Sequence, residues 1–127
     1  MIESILLSVK DAIGPSASYD AFDNSLIMHI NSVFGILKQL GVGPQDETFK
    51  ITGEREKWSD FYEEGENLEM VKTYMYMKVR MMFDIPQSSF VADALNRQIS
   101  ELEWRLNAEV DPGGTSDSYA RETRVGV

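Results

Sequence analysis

A chain of 127 residues, 43% of them hydrophobic, is long enough to enclose one core and is read as a single domain. Its formal net charge of -9 excludes a general phosphate-neutralising surface for nucleic acid, while leaving open a protein that surrounds DNA without gripping it. The absence of cysteine excludes disulfides and thiolate metal sites, and no apolar run reaches the roughly 18 residues that a membrane helix needs.

The first stretch, MIESILLSVKDAIG, has no basic n-region and is not read as a signal peptide, so a cytoplasm, or something assembled there, is the expected setting. Ile2 to Ile13 reads as the first helix. Ile2, Ile5, Leu6, Val9 and Ile13 form its apolar stripe, with Glu3, Lys10 and Asp11 mostly off it. Gly14-Pro15 ends it, because proline disfavours helix in the residue before it. Residues 16–22 form a loop that Tyr19 and Phe22 can pin down. Asp20 or Asp23 is placed to cap a second helix by accepting orphan backbone N–H groups. That helix runs from about Asn24 to Leu40. Leu26, Ile30, Val33, Leu37 and Leu40 share one face, widened by Ile27, Phe34 and Ile36. Gly41 suits the position after its end, since glycine enters the left-handed conformation cheaply. His29, the single histidine, lacks the partner spacing of a metal or catalytic residue, so a structural or solvent-facing role is expected.

Residues 42–65 are the least regular. Gly43-Pro44 opens a turn. Phe49-Lys50-Ile51-Thr52 alternates as a short strand does, with Gly53 as a turn residue, which fits a small hairpin. Trp58 to Tyr62 fits one helical turn, with Trp58, Phe61 and Tyr62 on the core. Residues 42–70 hold nine acidic and three basic side chains, or six of the nine net negative charges. This is either a solvated loop or a face kept electronegative for a purpose. Asn67 to Phe83, NLEMVKTYMYMKVRMMF, is the stretch on which the rest is organised. Leu68, Val71, Tyr74 or Met75, Val79 and Met82 recur at helical spacing, with Met70, Tyr74, Met77 and Met81 in a second row. A helix apolar on most sides is a central one. Five of the seven methionines lie here, as a pliable core or as a surface that repacks against other subunits.

Ile85 before Pro86 should be extended. Ser88 or Ser89 caps a last helix that reaches about Ala108, with Val91, Leu95, Ile99, Leu102 and Leu106 as its stripe. Phe90, Ala94 and Trp104 lie on a flank. There Trp104 is either core or a contact for a partner, since tryptophan is enriched at interface hot spots. Arg97 and Glu101 are spaced to pair, worth about 0.2–0.5 kcal/mol. Asp111-Pro112-Gly113-Gly114 stops the helix. Residues 1–110 are thus one helical domain, and 111–127 a tail that is flexible or ordered by a partner. Its expected anchors are Tyr119, Arg121, Arg124 and Val125, and fully extended it spans on the order of 55–60 Å. The expected fold is mainly all-α, a small bundle of about four helices with a short β-hairpin or irregular loop and an extended C-terminal tail. No nucleotide loop, zinc spacing or nucleophile elbow is present. Glu63-Glu64 lacks a buried partner to shift a pKa. No catalytic, cofactor or metal residue is assigned, and an enzyme built on the acidic region is the weakest reading.

The order of segments resembles a known family. It consists of a short first helix, DNSLIMHINSVFGILKQLGVGP (Asp23 to Pro44), ITG (Ile51 to Gly53), WSDF (Trp58 to Phe61), LEMVKTYMYMKVRMMFDIPQSSFV (Leu68 to Val91) and LNRQISELEWRLN (Leu95 to Asn107). Met1 to Asp111 is similar to the head–tail connector, or adaptor, proteins of long-tailed phages and prophages of Gram-positive bacteria. The resemblance implies a non-enzymatic virion protein that forms a homo-oligomeric ring, typically of twelve copies, under the portal protein. The ring extends the DNA channel and presents a surface to a stopper or tail protein. It implies assembly in the host cytoplasm, no membrane, and passage of DNA without sequence-specific binding. By resemblance, the tail docks on the portal, and the loop with Asp46, Glu47, Lys50, Glu54 and Arg55 faces the channel or the stopper. Phe90, Trp104, Met77 and Met81 offer material for the contact between subunits. A non-enzymatic packaging or regulatory accessory, binding a partner through its helices, is the alternative.

Overall fold

Ser4 starts the first helix. Its Oγ accepts the Leu7 N–H at 3.3 Å, so α1 spans Ile5–Ile13, three residues shorter than the apolar stripe suggests. The computed structural model describes residues 3–14, 20–83 and 86–110; Ile2 and Tyr19 fall outside them. A single 3-10 turn, Asp20–Phe22, leads into α2, Asp23–Gln39. Neither Asp20 nor Asp23 caps α2, contrary to expectation. Phe22 is the N-cap residue, and its side chain supplies no cap hydrogen bond. Both carboxylates instead hold Lys10, at 3.1 and 2.7 Å. Lys10 was expected off the apolar stripe, yet its side chain is only 10% exposed. Two partners make that burial tolerable, because an unpaired charge there would be costly.

The end of α2 behaves as glycine predicts. Gly41 has φ +89°, its N–H donates to the Lys38 carbonyl, and the Val42 N–H donates to the Leu37 carbonyl. This is a Schellman closure, and Leu37 and Val42 are both buried beneath it.

No strand occurs among the described residues, so the hairpin at Phe49–Thr52 does not form and the segment is irregular. The reason lies on α2. Asn31 Oδ1 accepts the Ile51 N–H at 2.8 Å, and Asn31 Nδ2 donates to the Ile51 carbonyl at 3.0 Å. One helical side chain thus satisfies the backbone pair that a neighbouring strand would have taken. A lone antiparallel bridge joins Ser4 to Lys57, with the Ile5 N–H donating to the Glu56 carbonyl and the Trp58 N–H to the Glu3 carbonyl.

α3 is the single turn Trp58–Phe61, started by the Lys57 N–H donating to Asp60 Oδ2 at 2.9 Å. α4, Glu66–Phe83, is the central helix and packs on α1, α2 and α5. It buries Leu68, Val71, Tyr74, Met75 and Val79. Of its five methionines only Met75 is fully buried; the others sit half-buried at the edge of the core. α5, Ser89–Val110, follows after a short link, which sets it antiparallel to α4. Ser88 Oγ accepts the Val91 N–H at 3.4 Å. Ile99 and Leu106 are buried, Leu95 and Leu102 half-buried, and Val91 largely exposed. Glu101 pairs with Arg105 at 2.6 Å rather than with Arg97.

Lys10 offers a test of this packing. Its hydrogen bond to Asp23 raises its pKa above the ordinary 10.5, opposed by burial and helped by Asp20. A raised lysine stabilises the fold fully below 10.5, and that contribution fades as pH climbs through the higher folded value. Lys10→Met should cost about 1–3 kcal/mol at neutral pH, less than a fully buried pair because Asp20 is exposed. Urea unfolding as a function of pH should show an alkaline loss in the wild type that the variant lacks.

Candidate functional site

Two surfaces stand out, and neither is a cleft. The first is the loop after α2. Its inner side is pinned: Ile51 and Val42 are buried, and Phe49 stacks edge-on to Phe34 and Phe61 with ring centres 5.0 and 5.3 Å away. Trp58 closes the same cluster, its Nε1–H donating to Ser8 Oγ at 2.9 Å, and Ser8 in turn donating to the Ile5 carbonyl. The outer side is charged. Asp46, Glu47, Lys50, Glu54 and Arg55 are all exposed, so the expected channel-facing or stopper-facing set shares one solvent-facing segment. Glu56 stiffens the loop from within, accepting from Thr52 Oγ1 at 2.8 Å, the Thr52 N–H at 3.1 Å and the Gly53 N–H at 3.4 Å.

Burial pushes the Glu56 carboxyl upward, but the hydrogen bonds from Thr52 and Gly53 outweigh it and hold the group below the ordinary 4.5. A lowered carboxyl stabilises fully above 4.5, and that stability is lost as pH falls through the folded value. Glu56→Gln should loosen the loop by about 1 kcal/mol near neutrality. Hydrogen exchange at the Thr52 and Gly53 amides should speed up in the variant, and in the wild type only on acidification.

The second surface is α5. Phe90 is 76% exposed and Trp104 73%, unusual values for large apolar side chains. Fourteen residues at about 100° each return to within about 40°, so the two lie on one side of the helix, about 21 Å apart. Asp93, Arg97, Glu101 and Ala108 share that side and are exposed too. It is the side opposite the buried Ile99 and Leu106. Met77 and Met81, expected alongside, are half-buried at the edge of the core. Met77 also lines a shallow depression between α4 and α5 with Gln98, Glu101, Leu102 and Arg105. Tyr74 locks these helices together, its hydroxyl donating to Glu103 Oε2 at 2.7 Å, with Lys78 at 3.9 Å from the same oxygen. Burial first, then the Glu103 carboxylate, drives the Tyr74 hydroxyl well above its ordinary value, so it remains a donor.

Met28 on α2, 63% exposed, was not singled out by sequence reasoning; lying off the apolar stripe is the signal it carried. His29 is half-buried on the same helix. Glu63 and Glu64 are exposed, and among the described residues no group of three or more His, Asp or Glu side chains is placed to hold a metal ion. No described helix is long and apolar enough to cross a membrane. The tail residues Tyr119, Arg121, Arg124 and Val125 lie outside the described residues.

The model of a family described as phage connector protein matches residues 5–113, from the start of α1 past the end of α5. The chain belongs to the phage connector family. No curated protein and no solved structure matches it. The head–tail connector resemblance read from Asp23–Pro44, Leu68–Val91 and Leu95–Asn107 is therefore met at the level of the family, over the whole described bundle. A phage connector works among the capsid and tail proteins of the virion, and this family is a structural one.

Proposed function

We propose that this connector is a neck protein, a ring of identical copies beneath the portal that lengthens the DNA channel and meets the stopper or tail protein. The observation that carries the reading is the exposed Phe90–Trp104 side of α5, on a chain of the connector family. An aromatic pair left in water on a small domain is material for a contact. A closed ring uses a head-to-tail contact between two different patches of the same subunit. Phe90 and Trp104 form one patch, with Met77 and Met81 supporting it from the edge of the core.

The charged loop serves the channel or the stopper. Its acidic residues, on a pinned backbone, would keep duplex phosphates at a distance and let DNA slide. Asp46, Glu47 and Glu54 outnumber Lys50 and Arg55, so the segment is net negative. The tail, residues 111–127, docks on the portal through Tyr119, Arg121, Arg124 and Val125. Ordering such a segment on a partner sacrifices chain entropy for contact over a wide surface. The ring carries no catalytic step and no cofactor.

Mass measurement and negative-stain imaging of particles test this. Multiple copies in a ring below the portal are expected. One or two copies per particle, without ring symmetry, would favour a packaging or regulatory accessory. A protein found free in infected cells and never in virions would overturn the reading. Deleting residues 112–127 should leave helix content unchanged and weaken attachment to the portal.

A further inference from the structure

The Phe90–Trp104 patch needs a counterpart, and α2 supplies the features of one. Residues 24–45 form the longest carboxylate-free run in this acidic chain, with Lys38 as its one formal charge. Leu26, Ile30, Val33, Phe34 and Leu37 point into the core. Met28, Ser32, Gly35 and Gln39 recur at i, i+4, i+7 and i+11 on the opposite side. Met28 is 63% exposed.

Gly35 is the unexplained residue. Glycine in the middle of a helix weakens it relative to alanine. A Cβ at Gly35 would meet nothing within 4 Å, so packing inside the protomer does not require glycine there. Glycine there leaves the helix backbone bare, with open space in front of it. Beside it, Ser32, Ile36, Lys38, Gln45 and Thr48 line an open depression of about 520 Å³.

Charge selects the occupant. Each copy carries -9, so two copies repel unless their contact avoids carboxylates on one side. The outer side of α2 does so, and its Lys38 can meet Asp93, which is exposed on the aromatic side of α5. Both helices pack on α4 and turn these sides away from the core; at one end they also meet, Asn107 Nδ2 donating to the Leu40 carbonyl at 3.0 Å. A head-to-tail contact requires two different patches on one subunit, and these are two. We propose that the outer side of α2 receives the Phe90–Trp104 side of α5 from a neighbouring copy, with an aromatic ring seated against the bare backbone of Gly35. The inference rests on the ring reading above and specifies which two patches meet.

The cysteine-free chain makes the test direct. Ser32 and Arg97 sit near the middle of the two stripes, so they approach each other whichever way the helices cross. Particles carrying Ser32→Cys and Arg97→Cys chains in equal amounts are treated with a short bismaleimide. Unlike chains should cross-link at least tenfold more than like chains. Separately, Gly35→Leu should enter particles at least tenfold less than wild type, while the purified chain melts no lower. If the protein forms a ring but unlike chains do not cross-link, or Gly35→Leu enters normally, the α2–α5 pairing is wrong and the ring reading survives. Predominant like–like cross-links would overturn the pairing as well. If particles contain no ring of this chain, both fall together.

Discussion

Trp58→Ala should destabilise the protomer by about 3–5 kcal/mol, the range for removing a buried aromatic without collapse of the site. Trp58 is 2% exposed, edge-on to Tyr76 at 6.4 Å and tilted against Phe34 at 6.3 Å. Its indole N–H satisfies Ser8, which sits 50 residues away in sequence on α1. The side chain therefore joins α1, α2 and α4 around the point where the loop returns to the bundle. Its loss opens a cavity and leaves the Ser8 hydroxyl without its donor. With total stability of order 5–15 kcal/mol for a domain of this kind, the variant should melt roughly 10–20 °C lower or fail to accumulate. Ser8→Ala isolates the polar part and should cost about 1–3 kcal/mol, since it strands a buried N–H. A Trp58→Ala protein that melts like wild type would contradict the described core.

Trp104→Ala should do the reverse. At 73% exposure it has little to lose inside the protomer, and melting should change by no more than about 0.5 kcal/mol. In the proposed ring it is a contact, and truncating a hot-spot tryptophan weakens binding by 2 kcal/mol or more, about thirtyfold per interface. The loss repeats at every interface, so incorporation into particles should drop more steeply than that. Phe90→Ala should act in the same direction. Circular dichroism melts and quantitation of the protein in purified particles check both halves. Unchanged incorporation would remove the exposed α5 patch from the account. A lowered melting point with normal incorporation would mean that Trp104 is core after all.

These two tryptophans also show how far pattern reaches. Trp58 could be placed inside because Phe61 and Tyr62 surround it in sequence. Trp104 stood open between core and contact. Counting 100° per residue from Ile99 sets it about 140° away, on the far side from the buried stripe. The four long helices were legible because apolar side chains recur at 3.6-residue spacing, and α4 was legible as the centre because it is apolar on most sides. Gly41 marked the end of α2 because only a left-handed residue closes a helix that way.

What pattern missed depended on partners from elsewhere in the chain. Phe49 and Ile51 do turn inward while Lys50 and Thr52 turn out, so the alternation was real. A strand also needs a neighbour, and Asn31 on a helix took the hydrogen bonds first. Asp20 and Asp23 look like caps because acidic residues before a helix usually are, and nothing local reveals that Lys10 claims both. Lys10 itself is four residues after Leu6 and three before Ile13, a position within the apolar stripe. The charge, not the spacing, made it look exposed. The surfaces for assembly were legible as types of residue, an acidic loop and an aromatic flank. That the loop is held from inside by Glu56, Asn31 and the Phe34–Phe49–Phe61 cluster required the fold.

An averaged electron cryomicroscopy map of the virion neck should show a closed ring of this helical bundle next to the portal, with the charged loop after α2 facing the lumen or the next neck protein. A map in which that position is filled by other proteins, with this chain absent or present as a single asymmetric copy, would contradict the proposed ring.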